Sequence, residues 1–234
     1  MPNSEHHHKK SHMMNKTEVE EAINSRIERI DDDFKKAFNL LKDFQRSVTF
    51  LGSAQFAEDN LYYGKARELA KKIAQELHYT IFTGGGGGIM EAANRGATEG
   101  GGQSVGIDIQ IPIEQKGNPY VTRSIDMRYF FSRKMGLTFG AEACIFFPGG
   151  YGTLNEFFEI ITLVKTQKVP KLPIILYGSE FWNKLDSFIK ETLYKDYVTI
   201  TKEDIDLYTI TDDDTKVIEM IKKAPIRNGI WLHD

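Results

Sequence analysis

Two short segments of this chain bring glycine, hydroxyl and carboxylate groups together in an order that suits phosphate chemistry. The first is Thr83-Gly84-Gly85-Gly86-Gly87-Gly88-Ile89-Met90-Glu91, and 9 of the 20 glycines fall between Gly84 and Gly102. Glycine lets backbone N–H groups approach a ligand with no Cβ in the way, and such groups at a helix N-terminus form an anion site. The second is Phe147-Pro148-Gly149-Gly150-Tyr151-Gly152-Thr153-Leu154-Asn155-Glu156. It repeats the arrangement and adds a hydroxyl, Thr153, able to cap a helix or bind a phosphate oxygen. Glu156 is expected in the first turn of a helix opened by Thr153, either as a capping-box partner or as a carboxylate held at the mouth of a crevice. Arg133, followed by Lys134, precedes this segment by one element, and its fork of donors suits a phosphate or a base edge. Taken alone it would read as a solvated surface arginine. Glu159 reads as a solvated or supporting carboxylate.

The elements that must position these residues follow from hydrophobic patterning. Apolar residues at spacings of three and four from Lys16 to Arg46 (Val19, Ile23, Ile27, Ile30, Phe34, Phe38, Leu41, Phe44) predict one long amphipathic helix or two shorter ones. Lying ahead of the first strand, it is expected to pack across the outside of the main domain or against a second subunit. Thereafter strands are predicted at 48–51, 79–83, 104–109, 143–147 and 173–177. Helices are predicted at 61–77, 89–98, 130–140, 153–164, 181–193 and 215–223. Continuous apolar strands separated by helices imply an α/β fold, a doubly wound parallel sheet of Rossmann-like type with an N-terminal helical extension. Both glycine segments then lie beyond the carboxyl ends of strands, where such sheets bind ligands. Two anion-binding turns on one rim point to a phosphorylated ligand, although either turn alone could serve conformation only.

Composition removes several alternatives. With 30 basic and 33 acidic residues and a net charge of −3, no single-sign excess favours nucleic acid or an anionic membrane. One cysteine, Cys144, set in an apolar strand, reads as a buried inert thiol, and His78 is the single histidine between residues 13 and 232. A zinc site, a disulfide framework and a multi-histidine metal centre are therefore excluded as expectations. No Lys-Ser or Lys-Thr follows the glycines, and no clear ribose-binding acid lies about 20 residues beyond the first run, which disfavours a P-loop or an ordinary dinucleotide site. The expected organisation is residues 1–14, with His6, His7 and His8, as a disordered tail or cloning remnant before a native start near Met14. Residues 15–46 form a helical extension, 47–225 one Rossmann-like nucleotide-binding domain and 226–234 a C-terminal tail. Without a signal or membrane segment in the reading, the expected compartment is the cytoplasm.

Taken together, Gly84 to Met90, Arg133-Lys134 and the Pro-Gly-Gly-x-Gly-Thr-x-x-Glu element at 148–156 resemble the LONELY GUY (LOG) family of cytokinin riboside 5'-monophosphate phosphoribohydrolases. The family is often mislabelled "lysine decarboxylase". The resemblance runs from about Val48 to Asp213, and the long first helix resembles the longer bacterial branch. It implies that Gly149, Gly150, Gly152 and Thr153 hold the 5'-phosphate of an AMP-like nucleotide, helped by Ser53, Lys134 and the first run at Gly84, Gly85 and Gly86. It further implies that Glu156 is the catalytic carboxylate and Arg133 its partner in orienting substrate. The chain departs from the family at Ser132 and Asn155, where glutamates are usual, and these positions bear on base specificity. No cofactor is expected, since pyridoxal phosphate has no independent support in the sequence. Proteins with the same loop also include nucleotide- or molybdenum-cofactor-binding carriers, which remain the alternative. Self-association to a homodimer or larger assembly is expected from Phe34, Phe38, Leu41 and Phe44.

Overall fold

The computed structural model describes residues 13–44, 46–111 and 117–226. The N-terminal histidines and most of the expected C-terminal tail lie outside the described residues. Helix α1 (Lys16–Lys42) starts at a capping box in which Asn15 Oδ1 accepts from Glu18 N and Glu18 Oε2 accepts from Asn15 N. It leads into β1 (Ser47–Leu51), α2 (Leu61–Leu77), β2 (Thr80–Thr83), α3 (Ile89–Glu99), β3 (Ser104–Ile109), β4 (Arg123–Met127) and α4 (Phe130–Phe139). The second half runs β5 (Ala143–Phe146), α5 (Tyr151–Lys165), β6 (Ile174–Tyr177), α6 (Ser179–Ser187), a π-helical segment Phe188–Asp196, α7 (Lys202–Ile205), β7 (Thr209–Thr211) and α8 (Asp214–Lys223).

The seven strands form one sheet in the order β4-β3-β2-β1-β5-β6-β7, and every pairing is parallel. Chain direction across the sheet reverses between β1 and β5, so the topological switch point lies beyond Leu51 and Phe146, which are register partners. Helices α2, α3 and α8 cover one face over Val48, Ile81, Ile145 and Ile175. The other face is shared: α1 and α4 cover Phe82, Val105 and Ile107, while α5 and α6 cover Phe146, Ile174 and Leu176. The doubly wound class expected from the alternating elements is therefore the observed one.

Several details differ from the expectation. Strands β4 and β7 were not anticipated, because an edge strand such as Arg123-Ser124-Ile125-Asp126-Met127 exposes most of its side chains and lacks an apolar run. Helix α5 begins at Tyr151 with Gly150 as its N-cap, two residues before Thr153. Glu156 consequently lies past the first turn, and the capping-box reading fails for want of register. Helix α1 packs across its own domain, beside α4 and β4. Leu41 and Phe44 are buried in the chain's own core with Phe38 packed against it, and Phe34 is partly covered beside Phe131, so three of the four residues that motivated self-association are used in that core.

A buried polar network braces the first glycine turn. Asn94 Oδ1 accepts from Thr83 Oγ1 at 2.6 Å and from Asn118 Nδ2 at 2.9 Å, while Asn94 Nδ2 donates to Ser104 Oγ at 2.8 Å. Asn118 Nδ2 also lies within bonding distance of the carbonyls of Gly85 and Gly86. Replacing Asn94 with Ala would strand several of these groups without water. The expected loss is about 2–3 kcal/mol of unfolding free energy, measurable by urea titration; a change below about 0.5 kcal/mol would contradict the bracing role.

Candidate active site

The switch point opens into a cavity of about 400 Å³, a size suited to a small molecule. Its floor comes from β1 and the turn after it, Phe50 to Gln55, with Gly84 from the first glycine run. Its walls come from α4, through Phe130, Arg133, Lys134 and Leu137, and from the start of α5, through Gly150, Gly152, Thr153, Asn155 and Glu156. Met90, Ile109 and Ile111 complete an apolar side.

Backbone bonds lock the two turns of the switch point together. Ser53 N donates to Pro148 O at 3.0 Å, Phe147 N to Leu51 O at 2.8 Å, and Ile89 N to Ser53 O at 2.9 Å. Glycine is required where these turns touch. A Cβ on Gly88, which has φ +65°, would fall 2.2 Å from Ser53 O, and one on Gly149 would fall 2.2 Å from Thr153 Oγ1 and 3.0 Å from Ser53 N. Helix α5 has no side-chain cap at Gly150. Its N-terminal end lies in the cavity wall, where the helix dipole and unsatisfied N–H groups favour an anion.

Arg133 and Glu156 face this space from opposite helices. Arg133 donates from Nε to Ile107 O at 2.8 Å and from Nη2 to Gly84 O at 3.2 Å, so its guanidinium is held by backbone. A Cβ on Gly84 would lie 1.9 Å from that Nη2, which gives this glycine its physical reason. Burial pushes the Arg133 guanidinium below its ordinary range, against the opposing pull of the Glu156 and Asp108 charges. Burial likewise pushes the Glu156 carboxyl up to about 7, although Arg133 and Lys134 draw it down. Lys134 is tethered at the rim: its Nζ donates to Asn155 Oδ1 at 3.2 Å and pairs with Glu159.

The structure thus brings Ser53, Gly84, Arg133, Lys134, Gly150, Gly152, Thr153 and Glu156 to one cavity. Gly85, Gly86 and Gly149 are not on its surface. Gly85, at φ +74°, makes room for Asp108, whose Oδ1 would lie 1.8 Å from an added Cβ, and Gly86 faces the end of Met90. Most of the first run therefore shapes the turn behind the wall. Ser132 is fully buried beside Asp33 of α1, at 2.9 Å. Asp33 and the Asn94–Asn118 network carried no signal in the sequence, because the last of three consecutive aspartates in an amphipathic helix and scattered Asn residues look like ordinary surface. Among the described residues, no group of His, Cys, Asp or Glu side chains is placed to hold a metal ion, and no helix is long and apolar enough to cross a membrane.

Fold and site together define a parallel α/β protein with a small-molecule crevice at its switch point. A family model described as "Possible lysine decarboxylase" matches residues 90–221, more than half of the chain, and the protein belongs to that family. A cytokinin riboside 5'-monophosphate phosphoribohydrolase of Arabidopsis thaliana is 28% identical over 166 residues, covering 69% of this chain and 75% of the plant protein. A rice (Oryza sativa subsp. japonica) protein of the same name is 28% identical over 66% of this chain, and the match spans 64% of its own length. Among solved structures, the molybdenum cofactor binding protein from Rippkaea orientalis shares the fold, with a TM-score of 0.54 at 21% identity over 75% of this chain and 93% of that one. The molybdenum cofactor carrier protein of Chlamydomonas reinhardtii does so with a TM-score of 0.53 at 22% identity, over 76% and 97% of the two chains.

The desolvated state of Glu156 has a consequence for stability. A glutamic acid whose folded pKa is raised from 4.5 to about 7 opposes folding when ionised; the cost begins near pH 4.5 and is complete above about 7. Glu156→Gln should therefore raise the melting temperature at pH 8, by an amount equivalent to at most about 3 kcal/mol, and leave it unchanged near pH 4.5. Equal melting curves at both pH values, read by calorimetry, would show the carboxylate to be solvated.

Proposed function

We propose that the protein hydrolyses the N-glycosidic bond of a nucleoside 5'-monophosphate, AMP or an N6-substituted AMP, to the free base and ribose 5-phosphate. The observation that carries this reading is one helix, α5, that offers an open N-terminus at Gly150–Thr153 and a desolvated carboxylate one turn further on the same cavity wall. The curated relatives named phosphoribohydrolases support it.

In this reading the phosphate binds the N–H groups at the start of α5 with the Thr153 and Ser53 hydroxyls, and Lys134 adds charge at the rim. The ribose then lies against Glu156, and the base extends towards Met90, Ile109, Ile111 and Phe130. As the C1'–N9 bond breaks, its electron pair leaves with the base and positive charge develops on the ribose, where a fixed carboxylate stabilises it. Water adds to C1' and gives a proton to Glu156, which passes on so that the base departs protonated and the carboxylate is restored. A carboxyl poised near 7 is well matched to taking that proton at neutral pH. Arg133, held by two backbone carbonyls, is a rigid positive group that orients the substrate opposite Glu156. Binding energy from the phosphate fixes the reacting bond without touching it.

The alternative, a non-catalytic nucleotide or molybdenum-cofactor carrier, shares the fold and predicts binding without base release. Incubation with AMP and with isopentenyl-AMP, followed by chromatography of free base, separates the two. Glu156→Gln is expected to retain AMP binding and lose at least about 10²-fold in kcat, and adenosine should react at least about 10²-fold less efficiently than AMP. An active Gln variant, or binding with no base released by the wild type, would overturn the hydrolase reading. The rate should also depend on pH: kcat is expected to rise as Glu156 ionises, by about tenfold per unit below pH 7, and to level off above it. A rate that falls through pH 7 would contradict the role of the ionised carboxylate.

A further inference from the structure

Helix α4, which carries Arg133 and Lys134, opens at Tyr129 with no side-chain cap of its own. The capping group comes instead from the middle of α1. Asp33 is fully buried, and its Oδ2 accepts from Arg128 N at 2.8 Å, from Tyr129 N at 3.2 Å and from Ser132 Oγ at 2.9 Å. Its Oδ1 accepts from Arg128 Nη1 at 3.2 Å, and the same Nη1 pairs with Asp32 at 2.6 Å. A carboxylate withdrawn from water persists only when donors surround it, and here all of them come from the five residues 128–132 that lead into α4. Negative charge at that end also favours the helix dipole. Ring contacts reinforce the junction: Phe34 lies 6.4 Å from Phe131, and the Arg26 guanidinium lies over the Tyr129 ring.

The anchored turn ends at Ser132, and the next residue is Arg133. From that fixed start the Arg133 side chain reaches β3 and the glycine turn to meet Ile107 O and Gly84 O. We propose that Asp33 is a positioning residue for Arg133, so that the N-terminal helix is a working part of the site that sets where the guanidinium points. Loosening the turn would let the first turn of α4 fray and free Arg133 from its backbone acceptors, while the anion-binding end of α5, on the opposite wall, stays as it is. The kinetic part of this inference rests on the hydrolase reading; the structural part does not.

The test uses the full chain with Asp33→Asn, Asp33→Ala and Ser132→Ala. The Asn variant keeps the shape but turns an amide towards the Arg128 guanidinium, and the Ser132 variant removes a single donor, so both guard against a failure of Asp33→Ala to fold. Lys72→Ala serves as a control for general destabilisation, because it removes the Lys72–Asp214 pair between α2 and α8 on the other face of the sheet. Two quantities are read on variants shown to be folded by circular dichroism. One is solvent exchange of the Arg133 Nε–H by nitrogen-15 NMR, assigned by its loss in Arg133→Lys; the other is kcat and KM for AMP. Exchange in Asp33→Asn should accelerate about tenfold or more and kcat should fall about tenfold with KM within about twofold of wild type. Ser132→Ala should move in the same direction by less, and Lys72→Ala should move neither. Wild-type exchange at Arg133 in folded Asp33→Asn and Ser132→Ala would overturn the inference, whatever the rates. Faster exchange in a protein whose wild type releases no base would sustain the positioning role and sink the hydrolase reading instead.

Discussion

The structure depends on holding one partly buried guanidinium in the cavity wall without pairing it directly to a carboxylate. An arginine there keeps its charge, and fixed acceptors orient it: Arg133 gives Nε to Ile107 O and Nη2 to Gly84 O. This demand reaches outward through the fold. Position 84 has room for no side chain, the end of β3 must present its carbonyl to α4, and α4 must start at a fixed place, which Asp33 supplies from α1. Because the guanidinium is held by backbone carbonyls and not by a carboxylate, its field remains directed across the cavity at Glu156.

The parallel sheet supplies the other half of the arrangement. At the β1–β5 switch point two strands end side by side and their turns diverge, leaving a crevice that no single loop could make. The backbone bonds between Ser53 and Pro148 and between Ile89 and Ser53 tie three turns into one rim. At Gly88 and Gly149 the turns approach too closely for a Cβ atom, and at Gly149 the neighbour is the Thr153 hydroxyl itself. Steric need and a place on the cavity surface coincide at Gly84; they separate in the second cluster, where Gly149 is crowded but lies off the surface and Gly150 and Gly152 line the cavity with open space at the Cβ position.

Much of this was legible in the sequence. Five buried strands and the helices between them declared themselves because strands covered on both faces must be continuously apolar, and the two glycine turns marked the rim. Edge strands β4 and β7 escaped because water replaces one of their neighbours and removes that requirement. The start of α5 was misplaced because Thr153 looks like an N-cap, whereas the observed cap is Gly150, which has no side chain to signal it. Phe34, Phe38, Leu41 and Phe44 were visible as an apolar stripe, but periodicity cannot say whether a stripe meets its own sheet or a second copy. Asp33 was invisible for a different reason: its partners lie almost a hundred residues away, and only the packing of α1 on α4 makes it a cap.

The account stands on the claim that Glu156 is a desolvated carboxyl in the field of Arg133, not a solvated group near a helix end. Carbon-13 NMR of the Glu156 side-chain carboxyl, followed from pH 4 to 9 in the unliganded protein and assigned by its loss in Glu156→Gln, measures this directly. An apparent pKa near 7 is expected, moving further up in Arg133→Ala as the attracting charge is removed. A midpoint near 4.5, unchanged by Arg133→Ala, would contradict the claim and remove the physical basis for placing chemistry at this residue.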